Sequence, residues 1–238
     1  MIIPRALLFD TFGTIVDWRT SLIDELTAFG LKRGIQADWA GLVDAWRGAY
    51  VPSMDEVRHG RRPWTKLDDL HRATLDRLVE KFGIIGLSEA ELRHINRGWH
   101  RLRPWPDSVP GLTRLKRYFI IAPLSNGNVS LLVNMAKHSG LPWDLIFGSD
   151  LFHHFKPDRQ IYLGACELLD LEPEQVMLCA AHNNDLRMAR SLGLKTAFIA
   201  RPSEYGPHQC RDFEADEAWD FIATNVETLA NQLADRSQ

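Results

Sequence analysis

Five short runs of apolar residues, with no alternation of polar and apolar positions, recur along the chain. They lie at residues 6–9, 119–122, 145–147, 176–179 and 196–199. Because an uninterrupted apolar run suits a strand that is covered on both faces, these runs predict a parallel sheet. Helical patterns follow most of the runs, for example over residues 159–169 and 186–192. This alternation predicts an α/β fold with a doubly wound parallel sheet.

The stretch between the first two runs is too long for a simple crossover and has a helical pattern almost throughout. Apolar side chains recur at three- and four-residue spacing over residues 64–82, which indicates an amphipathic helix. Ser88 followed by Glu91 has the form of a capping box, which predicts another helix start. The expected domains are an α/β core at residues 1–16 and 104–238 and an inserted helical cap at residues 17–103.

Composition excludes several classes of function. The chain has 238 residues, with 28 Lys and Arg against 31 Asp and Glu, and a formal net charge of −3. This near-neutral balance provides no basic surface for nucleic acid and no polybasic face for a membrane. Three scattered cysteines are too few for a disulfide framework or a zinc cluster. No apolar stretch approaches the ~20 residues of a membrane span, and no signal-peptide pattern opens the chain, so we expect a cytoplasmic protein.

The polar residues that follow the apolar runs are the candidates for chemistry, because ligands bind at the carboxyl ends of the strands in open α/β sheets. They are Asp10 after the first run, Ser125 and Asn126 after the second, Lys156 after the third and Asp185 after the fourth. This combination predicts a nucleophilic carboxylate site. The ammonium of Lys156 would keep Asp10 ionised, and Asp185 would orient or deprotonate a water. Ser125 and Asn126 would hold an anionic group of the substrate.

Three segments carry a resemblance to a known family. They are Phe9-Asp10-Thr11-Phe12-Gly13-Thr14, Leu124-Ser125-Asn126-Gly127-Asn128 and the segment from Phe155 to Tyr162. In combination they resemble the haloacid dehalogenase superfamily and, within it, the type II 2-haloacid dehalogenases. The resemblance implies a Rossmann-like core with a helical cap. Phosphatases of this superfamily usually have a second Asp where this chain has Phe12, and a phenyl ring cannot act as a general acid.

The resemblance implies a two-step hydrolysis that needs neither metal nor cofactor. Asp10 displaces halide from the carbon beside the carboxylate of a short 2-haloalkanoic acid, which inverts that carbon and forms an aspartyl ester. Water then attacks the ester carbonyl of Asp10 and releases a 2-hydroxy acid. The resemblance also implies S-2-haloacids or haloacetates as substrates and a homodimer as the assembly.

Further site residues follow from the same resemblance. Thr14 would bond Asp10 or the substrate carboxylate, Tyr162 would line the site, and Arg47 in the cap would stabilise the departing halide. The predicted catalytic residues are Asp10, Lys156, Asp185, Thr14 and Ser125, and the predicted substrate- or halide-binding residues are Phe12, Arg47, Asn126, Tyr162, His182 and Asn183.

The last motif departs from the best-known pattern of that branch. Where the pattern has a serine and an asparagine before the aspartate, this chain has Ala180 and His182 before Asp185. An imidazole is neutral or cationic near pH 7 and can replace the amide as a hydrogen-bond donor. Its bulk leads to the hypothesis that the pocket favours small acids, or fluoride as the leaving group.

Two other functions stay open. One is a magnesium-dependent phosphatase of the same superfamily that acts on a small phosphate ester, and Phe12 counts against it. The other is a non-catalytic α/β binding protein, which the joint presence of Asp10, Lys156 and Asp185 disfavours. We expect no metal site at His59, His153 and His154, and we expect core packing rather than pocket positions for Trp46, Trp64, Trp99 and Trp105.

Overall fold

The structure is a computed structural model that describes residues 3–207 and 209–234. Its strands are β1 (Ala6–Phe9), β2 (Val16–Asp17), β3 (Arg103–Pro104), β4 (Ile120–Ser125), β5 (Phe147–Gly148), β6 (Val176–Ala180), β7 (Lys195–Ile199) and β8 (Phe221–Ala223). Its α-helices are α1 (Trp18–Arg33), α2 (Trp39–Gly48), α3 (Tyr50–Arg58), α4 (Leu67–Lys81), α5 (Glu89–Asn96), α6 (Ser108–Leu115), α7 (Val129–Ser139), α8 (Arg159–Leu168), α9 (Asn183–Ser191) and α10 (Val226–Ala234).

The main sheet has six strands within the described residues, in the order β5-β4-β1-β6-β7-β8. Its neighbouring strands run parallel. β1 lies between β4 and β6, with Phe9 opposite Pro123 on one side and Cys179 on the other. All four residues of β1 are buried, as a strand with both faces covered requires. The predicted doubly wound α/β fold is confirmed.

The sheet extends one strand beyond the apolar runs. β8 lies at the edge beside β7, and its central residue Ile222 is 49% exposed. At the opposite edge, the run at residues 145–147 contributes only Phe147 to β5. Edge strands are short and covered on fewer sides, so their apolar signal is weak.

The helix starts and stops follow local capping chemistry. Ser88 and Glu91 form the predicted capping box before α5. α7 ends at Gly140, which adopts the left-handed conformation with φ 66°. α4 begins at Leu67 rather than at Trp64. No helix of the described residues is both long and apolar enough to cross a membrane.

The two ends of the predicted insertion meet in a small antiparallel ribbon. Asp17 of β2 pairs with Arg103 of β3, and α1 to α5 lie between these strands along the chain. One hydrophobic cluster runs from Phe9 on the sheet through Trp99 to Leu75 in α4. The helical segment therefore shares a core with one face of the sheet. The division into two domains at these residues stays a prediction.

Candidate active site

The predicted strand-end residues lie together at the carboxyl edge of the sheet. Asp10 directly follows β1, and its backbone N–H donates to the carbonyl of Cys179 in β6 at 3.0 Å. Asn126 follows β4, the other neighbour of β1. Asp185 lies in the first turn of α9, which follows β6. The pairing of β1 with β4 and β6 therefore brings three distant parts of the chain to one place.

Asp10 is held by three donors. Oδ2 accepts from the hydroxyl of Thr14 at 2.7 Å and lies 3.1 Å from Nδ1 of His182, and Oδ1 accepts from the ammonium of Lys156 at 2.9 Å. Asp10 is 7% exposed. Burial alone would raise the pKa of this carboxyl, but Lys156 and His182 outweigh burial and hold it well below its usual range. Asp10 is thus an ionised carboxylate with fixed orientation.

Lys156 joins the two carboxylates of the site. Its ammonium donates to Asp10 and to Asp185, and Asp185 also accepts from the phenol of Tyr162. The backbone N–H of Lys156 donates to Oδ1 of Asn126 at 2.6 Å, which fixes the loop that carries the lysine. Burial alone would lower the pKa of Lys156, but the two carboxylates raise it above its usual value. The lysine is therefore a permanent cation.

His182 bridges Asp10 and a residue that the sequence reasoning missed, Glu204. Nε2 of His182 lies 2.9 Å from Oε2 of Glu204, and the indole of Trp18 donates to Oε1 at 3.0 Å. Burial alone would lower the pKa of His182, but Glu204 and Asp10 raise it well above its usual value. Glu204 is almost completely buried, and His182 together with Arg47 keeps its pKa below the usual value against the effect of burial.

Glu204 follows the fifth apolar run, so the strand-end rule that found Asp10 could have found it. The backbone supports its position as well. Gly13 has a φ of 90°, and a Cβ there would lie 2.1 Å from Oε1 of Glu204. A residue without a side chain is therefore needed where the loop after β1 passes this carboxylate.

Above these groups lies a cavity of about 210 Å³, smaller than the usual site for a drug-sized ligand. Phe12, Tyr50 and Arg47 contribute to its wall, together with Tyr205 from the connection between β7 and β8. The guanidinium of Arg47 lies 4.3 Å from the ring centre of Tyr50 and 3.8 Å from Glu204. Its Nη1 is buried without a hydrogen-bond partner. A buried donor without a partner, on a residue that lines the cavity, is suited to an anion.

The predicted site residues divide into those that line the cavity and those that support it. The cavity is lined by Asp10, Phe12, Arg47, Asn126, Lys156, Tyr162, His182 and Asp185. Thr14 lies behind Asp10, and the buried hydroxyl of Ser125 accepts from the N–H of Gly127 at 3.2 Å. Asn183 points to the β7–β8 connection, where its amide donates to Asp212 and accepts from the indole of Trp219.

The four predicted core tryptophans are absent from the described lining of the cavity. Trp46 and Trp99 are fully buried and pack edge to face at 5.5 Å. Trp64 packs on Phe155 at 4.8 Å, and the indole of Trp105 donates to the carbonyl of Gly13 at 2.8 Å.

The donor set at the sheet edge does not fit a magnesium ion. Asp10 and Asp185 are the carboxylates that such an ion would need, but the ammonium of Lys156 lies between them. The side chain at position 12 is a phenyl ring and offers no oxygen ligand. Among the described residues, no group of three or more His, Cys, Asp or Glu side chains is arranged to hold a metal ion, and this includes His59, His153 and His154.

Comparisons with known proteins agree with this geometry. The family model for haloacid dehalogenase-like hydrolases matches residues 4–193. The (S)-2-haloacid dehalogenase 1 of Pseudomonas sp. (strain CBS-3) is 29% identical over 208 residues, which cover 84% of this chain and 88% of the relative.

Two crystal structures are more similar in sequence. The L-2-haloacid dehalogenase PA0810 is 54% identical with a TM-score of 0.95, and the match covers 98% of this chain and 99% of that one. A defluorinating L-2-haloacid dehalogenase is 48% identical with a TM-score of 0.94, and the match covers 97% of this chain and 95% of that one.

Proposed function

The chain belongs to the haloacid dehalogenase-like hydrolases, and within this family we propose that it hydrolyses the carbon–halogen bond of short 2-haloacids. The observation that carries the proposal is the buried Asp10 carboxylate, which Lys156, Thr14 and His182 hold ionised at the floor of a small cavity. Such a carboxylate is a nucleophile for a displacement at carbon. The relatives named above act on the same class of compound by their descriptions.

In the first step, Asp10 attacks the carbon that bears the halogen. A carbon–oxygen bond forms as the carbon–halogen bond breaks, and the halide leaves with the bonding electrons. Arg47 is the proposed acceptor of the halide, because its buried Nη1 has no other partner in the described residues and it lies at the wall of the cavity. A preorganised cation stabilises the charge that develops on the leaving group.

In the second step, water attacks the ester carbonyl of Asp10. We assign Asp185 to orient this water and His182 to accept its proton. Esterification removes the charge of Asp10, which is one of the causes that raise the pKa of His182, so the imidazolium releases its Nδ1 proton to solvent after the first step and the neutral ring can then accept the proton of the attacking water. Glu204 holds Nε2 throughout. The tetrahedral intermediate expels the alkoxide of the 2-hydroxy acid, which takes the proton back from His182. The remaining proton of the water passes from the Asp10 carboxyl to His182, which restores the resting ion pair.

The phosphatase alternative lacks two groups that it would need. Phe12 provides no acid to protonate a leaving alcohol, and the two carboxylates that would hold a metal ion, Asp10 and Asp185, are both paired with the ammonium of Lys156. The dehalogenase reaction needs neither group, because a halide leaves without a proton.

The test is halide release from chloroacetate, fluoroacetate and the two enantiomers of 2-chloropropionate, by the wild type and by Asp10→Asn. We expect the wild type to release halide in the presence of EDTA and the variant to release none above background. A single turnover in H₂¹⁸O with excess enzyme should place the label in Asp10, because water attacks the ester carbonyl. Label only in the product would contradict the ester, and phosphate release from a small phosphate ester instead of halide would favour the phosphatase.

We also propose a preference for the S enantiomer and turnover of fluoroacetate. The first is supported by a relative described as an (S)-2-haloacid dehalogenase, and the second by a similar structure described as a defluorinating dehalogenase. Turnover of 2-chloropropionate without turnover of fluoroacetate would count against the hypothesis that His182 narrows the pocket in favour of fluoride as the leaving group. The homodimer and the cytoplasmic location remain predictions, and light scattering of the purified protein tests the former.

A further inference from the structure

The cations of the cavity wall are not equally available to an anionic substrate. Four of them already face carboxylates: Lys156 faces Asp10 and Asp185, His182 faces Asp10 and Glu204, Arg58 faces Asp55 and Asp158, and Arg47 lies 3.8 Å from Glu204. The fifth is Arg211, and no ion pair to it is found among the described residues. It lines the same cavity from the connection between β7 and β8.

Arg211 has a defined place at the mouth of the cavity. Its guanidinium lies 4.2 Å from the ring centre of Tyr205, so the plane of the cation is supported by an aromatic ring. Its carbonyl accepts from the side chain of Gln209 at 3.0 Å, and the adjacent Asp212 accepts from the backbone N–H of Asn183 at 2.9 Å. The backbone on both sides of the arginine is thus tied down. The N–H groups at the edge of a stacked guanidinium stay available for a carboxylate.

Asp55 and Asp212, the partly exposed carboxylates that line the cavity, already accept hydrogen bonds. Asp55 accepts from Arg58 at 2.7 Å, and Oδ1 of Asp212 accepts from Asn183. Arg211 is therefore the one lining cation of the described residues that faces no carboxylate, while Arg47 keeps its free Nη1 for the halide. Arg211 is exposed, whereas Arg47 and Lys156 on the same lining are nearly buried, so a carboxylate that enters past Arg211 moves towards these two cations.

We propose that Arg211 is a substrate-binding residue that captures the carboxylate of the 2-haloacid at the entrance of the cavity. This inference rests on the proposed function. The residue acts in binding and takes no part in the bond-making steps, because Asp10, His182 and Asp185 lie at the floor. Its loss should therefore raise KM and leave kcat unchanged.

The experiment compares Arg211→Gln and Arg211→Lys with the wild type and with a matched control, Arg117→Gln. Arg117 is also exposed, but it precedes β4 and lies at the opposite edge of the sheet. With (S)-2-chloropropionate at low salt, we expect Arg211→Gln to lower kcat/KM by about fivefold to tenfold with kcat unchanged, and to flatten its dependence on ionic strength. Arg211→Lys should recover most of the loss, and Arg117→Gln should match the wild type.

Propionate supplies a readout that does not depend on turnover. Its dissociation constant, measured by calorimetry, should rise in Arg211→Gln by a similar factor. Unchanged propionate binding, or a fall in kcat equal to the fall in kcat/KM, would overturn the assignment. Absence of halide release by the wild type would instead overturn the proposed function, and the propionate titration would still decide whether Arg211 binds a carboxylate.

Discussion

At the scale of single residues, the site is an alternation of opposite charges. Three carboxylates, Asp10, Asp185 and Glu204, are interleaved with the cations Lys156, His182 and Arg47. Each buried charge faces an opposite one, which offsets the large cost of removing it from water. His182 is placed to respond to the proposed reaction, because one of its two acidic neighbours, Asp10, is the group that would become an ester.

The raised pKa of His182 predicts that the stability of the protein depends on pH. The pKa of His182 is raised in the folded protein. The contribution of the protonated imidazole to the unfolding free energy is therefore fully present below about pH 6.5, the pKa of an unperturbed histidine, and is lost as pH rises through the folded pKa. We expect the difference in unfolding free energy between the wild type and His182→Asn to shrink as pH increases above 6.5. Urea unfolding at several pH values measures this difference. A difference that grows with pH would show that the histidine is neutral in the folded state.

The same variant tests the role of His182 in the reaction. His182→Asn retains a donor towards Asp10 but cannot accept a proton from water. We expect it to release halide in a burst and to accumulate the ester on Asp10, which mass spectrometry of the intact protein detects as added mass. Steady turnover at the wild-type rate, with no added mass, would assign the proton to another group, with Asp185 the first alternative.

How much of this site could be predicted from sequence depends on where each residue lies. Asp10, Asn126 and Asp185 come at strand ends, and unbroken apolar runs mark those strands clearly. Tyr50 and Tyr205 could not be found in this way. They lie in a cap helix and in an irregular connection, and only the tertiary packing brings them to the cavity.

At the scale of elements, the connection between β7 and β8 is the part of the fold that the sequence patterns described least. It has no periodic signal, yet it supplies Glu204, Tyr205 and Arg211 to the site. Long irregular connections of this kind commonly carry function. β8, to which it leads, has only three residues and its middle one is half exposed, so the hydrophobic pattern did not reveal it.

Asn183 anchors this connection. Its side chain donates to Asp212 and to the carbonyl of Glu214, and it accepts from the indole of Trp219. Asn183→Ala removes the side-chain contacts to Asp212 and Glu214 and leaves the buried indole of Trp219 without this partner, at a cost of about 1–3 kcal/mol, while the backbone N–H of residue 183 still donates to Asp212. We expect a lower Tm, faster proteolysis within residues 209–220 and a higher KM, since Arg211 loses its support.

Ser191→Ala is the matched control for Asn183→Ala. Ser191 lies on the same helix, and its exposed hydroxyl donates to the carbonyl of Met188 within that helix. We expect it to resemble the wild type in all three measurements. If Asn183→Ala resists proteolysis as well as Ser191→Ala does, the connection is held by other contacts.

At the scale of the whole molecule, the helical segment and the sheet are held as one body around the site. The hydrophobic cluster that contains Phe9 also contains Trp99 and Leu75 of the inserted segment. The amide of Asn128, at the start of α7, donates to the carboxylate of Asp68 at 3.0 Å and so adds a polar contact to α4. The position of Arg47 relative to Asp10 is therefore a property of this joint packing. Sequence patterns predicted the insertion, but the packing across it depends on contacts between residues far apart in the chain.

Arg201 ties together four distant parts of the molecule. It forms a bidentate ion pair with Asp107 at 2.8 Å and donates to the carbonyl of Thr14, while Asp107 also accepts from the N–H of Val226 at the start of α10. Both charges are largely buried. Arg201→Ala leaves the carboxylate of Asp107 without its ion-pair partner and should lower the unfolding free energy by about 3–5 kcal/mol. The double variant Arg201→Ala/Asp107→Ala should lose less unfolding free energy than the sum of the two single variants, because it leaves no unpaired charge. Urea unfolding measures all three variants.

Arg103→Ala is the control, since Arg103 pairs with Asp24 at the surface and its loss should cost less than about 1 kcal/mol. Equal losses of unfolding free energy for Arg201→Ala and Arg103→Ala would mean that the buried pair does not hold together the β7–β8 connection, the loop after β1 and the start of α10.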